Sequence, residues 1–212
     1  MRAGALAGWF LIIGPIVGMI SGLLGPWNAI KDFSDTAAVL TVLGQNAEMV
    51  GIYGLIGVLG LTLIVAGFSR IRDTMIGGDG ENYARLGFLL ILMLVPTALV
   101  ESGLNAAVAD TAAMPNGAGM ATAAALWAAS QGVGTFGTVI PLLGMAIFGI
   151  GILVQKDYNV IIAIFLIASG LLGVIIPLAF GYDSQLMWTV WIAITISSIA
   201  TGIMTVRSAN AN

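Results

Sequence analysis

The stretch Leu86–Val108 reads LGFLLILMLVPTALVESGLNAAV. It is long enough to cross a bilayer as a helix, since about 20 apolar residues span the ~30 Å hydrocarbon layer. Lipid offers the backbone no hydrogen-bond partners, so such a segment must satisfy its own amides as a helix. One ionisable residue interrupts it: Glu101 lies five residues after Pro96 and four before Asn105. A carboxylate at membrane depth is costly and raises a functional question by default.

The rest of the chain has the same character. Of its 212 residues 59% are hydrophobic and only 8% charged, where a soluble domain carries roughly 25% charge. There is too little polar surface to cover a water-soluble fold. The chain has no cysteine and no histidine, which removes disulfides, thiolate and imidazole metal sites, and Cys/His nucleophile pairs. Net charge is −3 with no basic run, so the electrostatic footprint of nucleic-acid binding is missing. No cofactor is expected, and the expected partners are the lipid bilayer and other membrane subunits or a second copy of the chain.

Six spans are expected, at about residues 5–24, 49–68, 86–108, 133–154, 159–180 and 186–206. Arg2 and the apolar run behind it have the outline of a secretory leader. The run is too long for one and no A-x-A-like cleavage site follows, so it reads as the first span. Two short helices at the membrane surface are expected at about 36–43, with Asp35 as N-cap, and at about 120–130. Ser69–Arg85 and Asp110–Gly119 read as loops, the former through its Gly-Gly-Asp-Gly run. Gln155–Tyr158 reads as a turn so short that spans four and five must be antiparallel neighbours.

The fold expected is an all-α bundle of six transmembrane helices. With both termini cytoplasmic in a prokaryotic cell membrane, Arg2, Arg70, Arg72, Arg85, Lys156 and Arg207 fall inside and only Lys31 falls outside, as the positive-inside rule requires. Trp27, Trp127, Tyr182 and Trp188 then fall near the outer interface, where amphipathic rings prefer to sit. Asp32, Asp35, Glu48, Glu101, Asp110 and Asp183 make that end acidic. This is either ordinary loop solvation or attraction of cations to a vestibule.

Glycines mark the expected helix contacts. Gly14, Gly18 and Gly22 form a G-x-x-x-G ladder, and Gly51, Gly54, Gly57 and Gly60 recur every third residue, both patterns that admit close backbone approach. Pro15, Pro96, Pro141 and Pro177 lie within spans, where they free carbonyls and mark either hinges or ordinary membrane-helix composition. Ser21-Gly22-Leu23, Ser102-Gly103-Leu104 and Ser169-Gly170-Leu171, with Asp-Thr-Ala-Ala at Asp35–Ala38 and Asp110–Ala113, fit three repeated helical hairpins. Chance matching in so apolar a background gives the same pattern.

Glu101 is the leading site candidate, with Asn105, Gln131 and Glu48 as polar neighbours in a proton or cation relay. The alternative is a structural carboxylate bonded to Ser102, Asn105 or Lys31, or one that reaches the headgroup zone. An aspartyl protease of the Gly-x-Gly-Asp type is excluded, because Ile76 stands where its first glycine belongs and Asp79 and Asp183 fall on opposite sides. A phosphate-binding G-x-x-x-x-G-K-[ST] element is absent, and no enzyme activity is expected.

The Arg2-Ala3-Gly4 opening, Asp35-Thr36-Ala37-Ala38 ahead of the second span, and a final span carrying Trp188 and Trp191 and ending in a basic residue resemble small uncharacterised six-span integral membrane proteins of bacteria. The resemblance implies a helical fold and no particular activity. The function expected is therefore a non-catalytic membrane subunit, a scaffold or homo-oligomer joined through its glycine faces. The alternative is a small transporter or channel for protons, cations or a small solute, with Glu101 as its working group.

Overall fold

The computed structural model describes residues 3–156 and 159–211. Arg2, counted above with the inner basic residues, and Tyr158, in the turn between spans four and five, lie outside them. The described chain is helical, with no strand: α1 (Ala3–Leu24), α2 (Thr36–Gln45), α3 (Ala47–Thr74), α4 (Glu81–Ile91), α5 (Leu94–Ala112), α6 (Met120–Gln155), α7 (Val160–Phe180) and α8 (Met187–Ala211). Six stretches are long and apolar enough to cross a membrane, α4 and α5 together counting as one. The chain is an all-α, multi-pass membrane protein.

The spans close into a ring. α1 packs on α3, α3 on α5, the α4–α5 pair on α6, α6 on α7, α7 on α8, and α8 back on α1. The connectors at 25–46, 113–119 and 181–186 gather at one end, called here the acidic end. Those at 75–80 and near Lys156 gather at the other, the basic end. The basic half is filled: Phe68, Ile71, Met75, Phe148 and Ile152 are each at most 1% exposed, and the Phe68 and Phe148 rings meet edge to face at 5.2 Å. A second, smaller core at the acidic end joins Val39, Leu40 and Leu43 of α2 to Val108 and Ala109 of α5 and Ala123 and Trp127 of α6.

That second core takes in both segments expected as short surface helices. The segments 120–130 and 133–154 are one 36-residue helix, α6, about 54 Å long at 1.5 Å per residue. It is longer than the ~30 Å hydrocarbon layer, and its first turns are covered by α2 and the end of α5. α2 likewise buries its apolar stripe in protein, and Asp35 caps it by accepting a hydrogen bond from the Ala38 amide.

The third span, expected as one helix over 86–108, is irregular at Leu92 and Met93, which keep right-handed helical backbone. The helix stops at Ile91 and restarts at Leu94. Pro96 is the cause: it has no amide to donate, and its ring crowds the carbonyl four residues back, at Leu92. The expected loops are also shorter. Ser69–Thr74 ends α3 and Glu81–Arg85 opens α4, while α5 runs through Asp110 to Ala112. Charged residues at helix ends kept these turns helical, Arg72 bonding Asp73 at 2.6 Å and lying over the Phe88 ring at 4.8 Å.

Most of the glycine positions are met from within the chain, whereas a Cβ on Gly18 would meet nothing. A Cβ on Gly60 would lie 2.7 Å from the Gly14 carbonyl oxygen and the Gly18 nitrogen, one on Gly57 would meet Ser21, one on Gly54 would meet Ser102, and one on Gly22 would meet the Trp188 ring. Gly51 faces open space. Comparable approaches not expected from the sequence are made by Gly8 to Gly202 and by Gly87 to Gly144.

Candidate functional site

The ring is not filled at the acidic half. A cavity of about 290 Å³ lies between α1, α3, α5, α6 and α8. Pro15 and Gly18 of α1, Gly57 and Leu61 of α3 and Ile194 of α8 contribute to its wall, and Trp27, Phe33 and Ser184 line it from the connectors. It exists because small residues face it where the helices would otherwise interdigitate.

Glu101 lines this cavity from α5. Its Oε1 accepts a 3.0 Å hydrogen bond from the Tyr182 hydroxyl. None of the ion pairs among the described residues involves it, and Lys31, the basic residue nearest in the expected topology, is exposed and does not line the cavity. The carboxylate thus has one neutral donor and no counter-ion.

Tyr182 is held in place by two glycines. Gly181, at φ 88°, takes the left-handed backbone that side chains disfavour and turns the chain sharply at the end of α7. Gly134 of α6 leaves bare backbone where the phenol ring rests, and a Cβ there would collide with ring carbons. Burial pushes the Tyr182 phenol well above its usual pKa, and the neighbouring Glu101 carboxylate adds to the shift. It therefore stays protonated as a donor.

The predicted neighbours divide. Asn105 and Gln131 line the same cavity. Asn105 is buried, its Oδ1 accepting from Ser130 at 2.6 Å, so its orientation is fixed. Gln131 carries a buried Oε1 without a hydrogen-bond partner. Glu48 does not join them: it is exposed in the first turn of α3, because α3 presents Gly54 and Gly57 to the interior. Asp183 lines the cavity, a second carboxylate that sequence reading had left in a loop.

The aromatic residues expected in the headgroup belt serve the cavity as well. Trp27, Trp127, Tyr182 and Trp188 all line it, with Trp191 one turn deeper, and Trp127 is only 5% exposed. The Ser-Gly-Leu serines have separate surroundings: Ser21 donates to the Tyr53 carbonyl, Ser102 packs on Gly54, and Ser169 bonds Ser197 in the α7–α8 contact at 3.2 Å.

No group of three or more His, Cys, Asp or Glu side chains is arranged to hold a metal ion among the described residues. Chemically the site offers a carboxylate, amide and hydroxyl acceptors and aromatic faces, without a nucleophile–base pair. No family model matches the chain, and no curated protein or solved structure is significantly similar to it.

Proposed function

We propose that the chain is a small non-enzymatic transporter or channel of a prokaryotic cytoplasmic membrane, with Glu101 as the group that engages the solute. The observation that carries this reading is the unpaired Glu101 carboxylate in the wall of a cavity at the centre of a six-span ring. An intramembrane charge that faces a cavity marks a solute or ion pathway. A carboxylate with only a structural duty would have a cation or several donors.

In this reading the basic end faces the cytosol, following the positive-inside rule, and the cavity is served from outside. The packed basic half, with Phe68, Phe148 and Ile152 buried, is then the closed inner gate. Release inward requires that half to part, and the irregularity at Leu92–Met93 beneath Glu101 supplies a hinge within the same span. A scaffold or homo-oligomer is the other reading; of its glycine faces Gly14, Gly54, Gly57 and Gly60 meet helices of the same chain, while Gly18 and Gly51 meet no neighbour.

The chain has no cysteine, so a single introduced thiol is a unique reporter. Ser102→Cys should react with a membrane-impermeant thiol reagent added outside intact cells, whereas Thr201→Cys, fully buried in α8, should not. If Ser102→Cys stays unreactive both in cells and in detergent, there is no aqueous cavity and the reading fails. If it reacts only from the cytosolic side, the orientation is reversed.

A further inference from the structure

We propose that the cavity takes a small organic monocation, a protonated amine carried on an apolar or aromatic body. This rests on the cavity being a solute site, as argued above, and concerns which solute it fits.

Three independent features converge on this class. The first is charge. Glu101 and Asp183 contribute carboxylates to the wall, and no lysine or arginine lines it. An anion entering would be repelled, whereas a cation can pair with Glu101 where a lone carboxylate is costly to keep charged. Glu101 Oε1 is occupied by Tyr182, which leaves its other oxygen for a ligand donor.

The second is the remainder of the wall. Trp27, Phe33, Trp127, Tyr182, Trp188 and Trp191 line a space of about 290 Å³. Aromatic faces attract cations through the ring quadrupole, most strongly when water is excluded, and they also receive apolar groups. A hard metal ion would want six or more oxygens, and this wall is aromatic and apolar instead. At ~30 Å³ per water-sized group, the space holds a body of about ten non-hydrogen atoms.

The third is an acceptor in need of a donor. Gln131 lines the cavity, yet its Oε1 is buried and unpaired, a state that side-chain amides in proteins rarely keep. Its terminal torsion is soft, and a modest rotation presents the oxygen to an N–H in the cavity. An ammonium bearing hydrogens can bond Glu101 and Gln131 together; a quaternary ammonium cannot.

The test uses the full-length chain in detergent, with 2-phenylethylammonium as probe and the emission of the cavity tryptophans as readout. Neutral 2-phenylethanol, anionic phenylacetate and the N,N,N-trimethyl derivative of the amine are the comparisons. The amine should give a saturable change at a Kd at least tenfold below those of the alcohol and the acid, with the trimethyl derivative weaker than the amine. Glu101→Gln should raise the amine's Kd tenfold or more. Equal binding of the alcohol or the acid, or no saturable change, overturns the proposal without needing any variant to fold, and a trimethyl derivative that binds as well as the amine overturns the N–H pairing. Should Ser102→Cys be reactive while no amine binds, the cavity stands and the amine class falls; should Ser102→Cys be inert, both fall.

Discussion

Tyr182 Oη and Glu101 Oε1 lie 3.0 Å apart, a hydrogen bond between residues 81 positions apart in the chain. It ties the connector after α7 to the third span and holds the one carboxylate that α5 contributes to the cavity wall. A neutral hydrogen bond of this kind contributes about 0.5–1.5 kcal/mol, and one to an ionised carboxylate about 1.5–3 kcal/mol.

A double-mutant cycle measures that link. Tyr182→Phe and Glu101→Gln should each change the melting temperature, and together they should depart from additivity by about 0.5–3 kcal/mol. Additive effects would mean that the two side chains do not interact in the folded protein.

The phenol also predicts a response to alkali. Its pKa in the folded chain is raised by burial and by Glu101, whereas in the unfolded chain it is ordinary, about 10. As pH rises above ~10 the unfolded state releases this proton and the folded state keeps it, so stability falls with pH. Below that window Tyr182 contributes no pH dependence. Melting curves should show that part of the decline above pH ~10 disappears in Tyr182→Phe; an unchanged decline would place the phenol in water.

Glycine substitutions should separate contact positions from open ones. Gly134→Ala sets a methyl against the Tyr182 ring, and Gly60→Ala sets one against the Gly14 carbonyl. Each should cost about 1–3 kcal/mol, the range for overpacking. Gly132 and Gly51 face open space, and alanine there should be neutral or stabilise the helix by up to ~1 kcal/mol. Thermal unfolding of the four variants decides it: equal effects at all four would contradict the packing described.

Removal of the α2 cap is the fourth test. Asp35→Ala loses the bond to the Ala38 amide and should cost about 0.5–2 kcal/mol, with faster amide hydrogen exchange confined to α2 and its neighbours in the acidic-end core. Exchange that rose across the whole bundle would mean α2 is not a separate unit.

The membrane character, the six spans and the presence of a carboxylate at Glu101 within the third of them were legible in the sequence. They depend on local composition: an apolar run of sufficient length has to be a helix in lipid, and a lone carboxylate within one stands out without any knowledge of its surroundings. The Asp35 cap was legible for the same reason, since a cap is made by residues three apart.

What the chain places around Glu101 was decided only by the tertiary structure. Tyr182 and Gly134 are far from it in sequence, and their pairing depends on how α5, α6 and the turn at Gly181 come together in the ring. The glycine ladders announced close approach but not the partner, because a bare backbone fits any helix of complementary shape. The tryptophans had two low-energy destinations, a headgroup layer or a cavity at the same depth, and composition cannot choose between them. Pro96 leaves a two-residue irregularity ahead of it, whereas Pro15, Pro141 and Pro177 lie within uninterrupted helices, a difference that the prolines alone do not announce.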